Sequence, residues 1–288
     1  VEACGATVRA LLASVNGLVL ELPAADIPAV AALDGVQWIE PPLPLLSGTN
    51  DGNRARTQAD LVQEPPYGLD GSGVTVLVYD GGTARASHVD FAGRLSALDN
   101  SGTITHATHV AGTIGGAGIA NATYRGMAPG VTMLSYGLEG AGSVGPLYTN
   151  PGDIETDFAD AVNVGGAVVS NASLGSNVEA NGFDCAWQGD YGVTDALIDA
   201  IVRGALGAPF RMIWAAGNER SGSRCDVEGY GDYYSIAPPG GAKNHLTVGG
   251  VNSNDNSMTT FSSWGPTDDG RIKPDVCAPG CQIGGDFG

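Results

Sequence analysis

With 288 residues, 43% of them hydrophobic and 15% charged, the chain is globular, too apolar for a disordered segment, and of a length that suits one large domain with an appendage. Acidic residues outnumber basic ones 31 to 13, and the net charge of −18 rules against nucleic acid and anionic lipid as main partners, because phosphate surfaces repel it. No run approaches eighteen continuous apolar residues, so nothing reads as a membrane span. Val1 follows no Met and no basic-then-apolar leader, so an export signal is expected to be absent or already removed.

The first 52 residues read as a small α+β module. Ala6–Ala13 and Gly17–Leu22 are strand-like runs joined at Asn16-Gly17, a hairpin signal. Pro23–Leu33 has helical spacing and stops at Asp34-Gly35, and Val36–Ile39 reads as a further short strand. Pro41–Pro44 and Ser47–Gly52 have the composition of an exposed linker. Residues 53–288 read as one larger domain, in which strands alternate with helices from Gly71 onward. Strands are expected at Val74–Tyr79, Val131–Tyr136, Ala167–Asn171, Phe210–Ala215, Leu246–Val251 and Ile272–Val276. Helices are expected at His106–Ile114, at Ile154–Val164 with acidic residues in its first turn, and at Thr194–Leu206, capped by Gly207. This alternation predicts an α/β fold, a mostly parallel twisted sheet with helices on both faces.

Five cysteines, Cys4, Cys185, Cys225, Cys277 and Cys281, leave an odd one over and fit an oxidising compartment better than a zinc site. Cys185 and Cys225 flank a loop-like stretch and are a reasonable disulfide pair. Cys281 pairs either with Cys277 or with a cysteine outside this sequence.

Ligand sites of open α/β sheets lie at the carboxyl ends of the strands. Asp80, Ser173 and Asn218 fall at such ends, and His106 opens a helix. An isolated Asp-Gly-Gly is usually a turn, and a lone Asn at a strand end is usually a cap. Convergence of the four marks a candidate active site. His106 and His109, three apart, share a helix face, but no further ligands support a metal. A general base oriented by a carboxylate explains His106 better, and the Asn218 amide suits an oxyanion donor. The sequons at Asn121 and Asn171 are adequately explained by chance.

In this order the motifs resemble those of the subtilisin-like serine proteases, the subtilases. Val76-Leu-Val-Tyr-Asp80-Gly-Gly82, His106-Ala-Thr-His-Val-Ala-Gly-Thr113, Gly126-Met-Ala-Pro129, Ser173-Leu-Gly175 and Ala215-Ala-Gly-Asn218 each match a family segment. Phe261-Ser-Ser-Trp-Gly-Pro266 and Asp269–Asp275 with Ala278-Pro-Gly280 are the most specific stretch. The resemblance covers roughly residues 68–288. It implies a secreted, extracellular or periplasmic endopeptidase in which Asp80 orients the imidazole, His106 is general base then acid, and Asn218 donates to the oxyanion. Ser173, Leu174, Gly175, Ala216 and Gly217 would bind the substrate peptide. No cofactor is implied for the chemistry. Asp90 matches a calcium-ligand position of many relatives, although the loop Gly115–Arg125 does not match cleanly. Residues 1–52 resemble the C-terminal part of the family's inhibitory propeptide, the alternative being an N-terminal subdomain that stays attached.

Three departures stand out. Gly81 replaces the usual Ser or Thr, Ala107 the usual Gly, and the Gly-Thr-Ser-x-Ala motif bearing the nucleophile is absent from the sequence. Ser262, Ser263 and Ser173 are poor substitutes. The expectation is therefore a serine beyond Gly288, on a C-terminal fragment that stays bound as a partner. The alternatives are a silent peptide-binding scaffold or a peptide-ligating relative. Asp226, Glu228 and Asp232 suggest Lys or Arg at P1, against the plainer reading of an acidic surface loop.

Overall fold

In the computed structural model the described residues are 4–12, 17–37, 39, 50–138, 151–176, 178, 183–220, 225 and 229–281. Two compact units divide the chain, residues 1–47 and 48–288. In the first, β1 (Thr7–Leu12) and β2 (Gly17–Glu21) pair antiparallel as the Asn-Gly turn predicts, and α1 (Ile27–Ala31) follows a short 3₁₀ turn. Val36, Gln37 and Ile39 form no strand, contrary to the sequence reading; the Val36 N–H is already committed to the carbonyl of Leu33 in the turn that closes α1. Trp38 lies outside the described residues.

The second unit is built on a seven-stranded parallel sheet. Its strands are β3 (Thr75–Asp80), β4 (Leu95–Ala97), β5 (Thr132–Gly137), β6 (Val169–Ala172), β7 (Arg211–Ala215), β8 (Leu246–Asn252) and β9 (Val276–Cys281), in spatial order β4-β5-β3-β6-β7-β8-β9. β3 lies inside the sheet, between β5 and β6, and is buried almost throughout, as its apolar run requires. One face carries Val76, Val78 and Met133 against Ala107 and Ala111 of α4 (Thr105–Gly115). The other carries Leu77, Tyr79, Met212 and Trp214 against α5 (Pro151–Asn163) and α6 (Val193–Val202). α5 turns Ile154, Phe158 and Ala161 inward at the spacing of one helical stripe. The fold is the α/β arrangement that the alternation of elements predicts.

Several elements depart from expectation, among them β4, which the sequence reading did not include. Residues 50–52, read as linker, open a helix, α2 (Asn50–Thr57), followed by α3 (Ala59–Gln63); tertiary bonds from Arg56 Nε to the Ser253 carbonyl (2.8 Å) and from Gln63 to the Met127 carbonyl (2.9 Å) hold a segment whose polarity hides it in the sequence. α6 ends at Val202 rather than Leu206, because Gly204, at φ +101°, takes the left-handed position that terminates a helix. The last strand starts at Val276, not Ile272: Pro274 has no N–H to give the ladder, which begins where Val276 pairs with Val248.

The Cys185–Cys225 disulfide forms. Cys277 and Cys281 do not pair; four residues apart on one extended strand, their α-carbons are separated by about 13 Å, beyond the reach of a disulfide. Cys281 is buried, and its thiol donates to Asn252 Oδ1 (3.1 Å).

Candidate active site

β3 ends at Asp80, and its carboxylate is 1% exposed. A buried carboxylate needs donors, and two are present. The Gly81 N–H donates to Oδ1 at 2.7 Å, and His106 Nδ1 lies 2.8 and 2.9 Å from Oδ1 and Oδ2. The carboxylate is an acceptor only, so Nδ1 carries the proton and Nε2 is the basic nitrogen. His106 is the second residue of α4, where the helix dipole disfavours an imidazolium. The bond to Asp80 prevails over burial and raises the His106 pKa above its ordinary value. The ring is 58% exposed, which leaves Nε2 free to exchange protons.

Close backbone packing fixes the loop after Asp80. Asp80 pairs with Gly137 on β5, and a Cβ on Gly137 would lie 2.3 Å from the Gly82 Cα, so glycine at both positions lets the loop fold back over β5. Gly81 has more room, its nearest neighbour being Ile104 at 3.5 Å.

The other candidate residues gather across the sheet. Ser173 follows β6 directly, and Ala216, Gly217 and Asn218 follow β7. All four line one cavity of ≈ 790 Å³ whose walls come from the carboxyl-terminal reaches of β6 to β9, from Thr113 and Met127, and from residues 57–62. Its lining is mostly apolar. The Ser173 hydroxyl accepts from Asn171 Nδ2 (3.0 Å). Gly175 approaches this region at the backbone, since a Cβ there would sit 3.0 Å from the Ala237 methyl and 3.7 Å from the Gly217 Cα. Leu174 instead packs against the core beneath.

Ser262 and Ser263 are buried, and each hydroxyl accepts a backbone N–H, from Gly250 (2.9 Å) and Glu219 (3.0 Å) respectively. Neither is disposed as a nucleophile. His109 is held below its ordinary pKa by burial and by its neighbour His106. Among the described residues no group of three or more His, Cys, Asp or Glu is arranged to hold a metal. Asp226 and Glu228 lie outside the described residues, and Asp232 is engaged by Arg220 (3.3 Å). The network of Gln188, Glu219 and Ser263 around Asn218 was not read from the sequence as functional; the Phe-Ser-Ser-Trp-Gly stretch was its one visible signal.

Comparison with known proteins identifies the family and the fold. Residues 71–287 match the model of the subtilase family. The alkaline serine exoprotease A of Vibrio alginolyticus is 32% identical over 226 residues, covering 75% of this chain and 34% of the relative. The serine protease AprX of Bacillus subtilis is 29% identical over 239 residues, covering 75% of this chain and 48% of the relative. The chain thus spans between a third and a half of the length of these relatives. Among solved structures, the CspB protease of Clostridium perfringens superposes with a TM-score of 0.63 at 15% identity, covering 79% of this chain and 80% of that one, a likeness of fold. MycP1 of Mycobacterium smegmatis gives 0.54 at 21% identity, covering 84% and 65%. A family match over most of the chain, on a parallel sheet that presents an Asp–His pair at the end of an inner strand, leads to one conclusion: the chain belongs to the subtilase family of serine proteases.

Proposed function

We propose that the chain supplies the base, its orienting carboxylate and the oxyanion donor of a serine endopeptidase, and that the nucleophilic serine lies on polypeptide beyond Gly288. The observation that carries this reading is the two-point contact between buried Asp80 and exposed His106. In the proposed reaction His106 Nε2 takes the serine proton as the hydroxyl attacks the scissile carbonyl. Asp80 holds the ring and stabilises the imidazolium, and the Asn218 amide donates to the tetrahedral oxyanion. His106 then returns the proton to the leaving amine. The substrate peptide runs beside Ser173–Gly175 as an added strand, with its side chain in the apolar cavity by Ala216 and Gly217. The engagement of Asp232 by Arg220 favours reading the acidic loop as surface rather than as a selector of basic side chains.

The calcium reading fits the residues poorly. Asp90 Oδ1 accepts the Ala120 N–H (2.7 Å), and the loop from Gly115 to Arg125 holds no carboxylate. The carbonyls of Asp90 and Gly115 (2.8 Å each) and Val131 (2.9 Å) accept from the Arg94 guanidinium, so a cationic group already occupies this corner. Residues 1–52 are assigned the role of a propeptide-like module and its linker in an exported precursor. N-terminal sequencing of the mature protein tests that role, and retention of Val1 would overturn it.

The central test is labelling of the purified protein with a serine-directed fluorophosphonate, followed by denaturing mass spectrometry. Label on polypeptide C-terminal to Gly288, whether continuous or a bound fragment, is the expected result. Protein that contains such a segment and stays unlabelled would overturn the assignment in favour of a silent scaffold. Product analysis with a test peptide separates hydrolysis from ligation.

A further inference from the structure

Asn218 stands in a segment with no regular secondary structure, yet an oxyanion donor must be held rigidly to be worth much. The residues on either side of it show how this is done. Gly217, at φ +101°, turns the chain out of β7, and a Cβ there would lie 2.6 Å from the Ala237 methyl and 3.0 Å from Ser263 Oγ. Its carbonyl accepts the Ser263 N–H at 2.9 Å. On the other side, the Glu219 N–H donates to Ser263 Oγ at 3.0 Å. One residue, fully buried, therefore grips the chain immediately before and immediately after Asn218. The next bond of the series, from Arg220 N–H to the Phe261 carbonyl (3.1 Å), extends the same grip.

From this geometry we infer that Ser263 is a positioning residue for Asn218, its backbone and hydroxyl together setting where the oxyanion donor points. The inference rests on the protease reading above. The main chain of residue 263 can hold Gly217 whatever its side chain, but only a hydroxyl at this depth accepts the Glu219 N–H. Without it that bond is lost, and the turn carrying Asn218 is gripped on one side only. Glu219 is also held from its other end. Its carboxylate is fully buried and accepts from Gln188 Nε2 at 3.2 Å, so it anchors the far side of the turn. Because the hydroxyl acts on the donor and not on the substrate, its removal weakens transition-state stabilisation while ground-state binding persists.

The test is a double-mutant cycle on the full polypeptide with Ser263→Ala, Asn218→Ala and the pair, reading kcat and KM on one peptide and folding by thermal melt. Ser263→Ala is expected to lower kcat about tenfold with KM within twofold, and to change kcat less than twofold when Asn218 is already Ala. Equal loss of kcat in both backgrounds, or a loss confined to KM, would show a merely structural role and overturn the inference. If Ser263→Ala does not fold, Ser263→Cys, of nearly the same shape with a weak acceptor, takes its place in the cycle with the same expectations. Wild-type protein that neither cleaves nor takes the fluorophosphonate removes the protease reading itself, an outcome distinct from an active enzyme whose two substitutions simply multiply.

Discussion

His245 offers a quantitative check on the physical reasoning. It is 4% exposed, packs edge-on against Trp214 with ring centroids 6.2 Å apart, and neither ring nitrogen has a hydrogen-bond partner among the described residues. Burial first, and then the nearby Lys273 ammonium, push its pKa down to about 4 from 6.5. A histidine depressed in the fold binds its proton more readily when unfolded, so acid favours unfolding as pH falls below 6.5. The linkage relation gives a loss of about 2 kcal/mol by pH 5 and about 3 kcal/mol by pH 4. Asp195 opposes this trend. Desolvation pushes its carboxyl up to about 6, so the folded state holds that proton more tightly and gains about 1 kcal/mol between pH 7 and pH 5. The wild-type pH profile alone therefore hides both effects.

The perturbation that separates them is His245→Leu, which removes the titrating ring without orphaning a partner. Asp195 is common to both proteins, so it cancels in the difference. Urea unfolding followed by tryptophan fluorescence, with Trp214 fully buried as a core reporter, should give the stability of each protein at pH 7, 6, 5 and 4. The variant is expected to gain on the wild type by about 2 kcal/mol between pH 7 and pH 5. A stability difference that stays flat across this range would refute the claim that the fold keeps this imidazole neutral.

Three further outcomes follow from the same structure. Asp80→Asn should lower kcat by about 10⁴, and because the Asp80 bond raises the His106 pKa, the acidic limb of the pH–rate profile should move to lower pH. Gly217→Ala forces a side chain into a left-handed backbone position, at about 1–3 kcal/mol before the contact with Ala237 is counted, and chemical denaturation measures it. Replacing both Cys185 and Cys225 by Ser opens a link across 40 residues and should cost about 4 kcal/mol, seen as a lower Tm that reducing agent no longer alters.

What the sequence disclosed depended on how local each signal was. β3 was legible because a strand buried on both faces must be apolar at every position, and Asp80 because a carboxylate then ends that run. α5 was legible from its stripe of Ile154, Phe158 and Ala161. α2 and α3 were not, since their residues carry little apolar periodicity and the bonds holding them reach Ser253 and Met127, far along the chain. β9 was displaced in the reading because Val-Cys-Ala-Pro-Gly-Cys looks like a turn; a single neighbour, β8, is enough to extend it at the sheet edge. The contact of Asp80 with His106 was anticipated from strand ends and motif order. The grip of Ser263 on both sides of Asn218 was not, because it joins segments 44 residues apart through a single hydroxyl.

The contrast in exposure between Asp80 and His106 follows from the order of the strands and suits the tasks proposed for them. β3 lies between β5 and β6, so the residue at its end is enclosed by neighbours on both sides, and Asp80 is 1% exposed. A carboxylate so placed cannot be satisfied by water. It requires donors, and the fold provides Gly81 from its own turn and His106 from the head of α4. The imidazole meets the opposite demand of the proposed reaction, in which it exchanges a proton with a reacting group: it stands 58% exposed with Nδ1 committed and Nε2 available. Burying Asp80 fixes which nitrogen of His106 is basic, and exposing His106 lets that nitrogen act. Shielding the ring from solvent without supplying a proton partner, or opening the carboxylate to water, would remove one of the two conditions, and either change predicts a weaker base than the one this sheet presents.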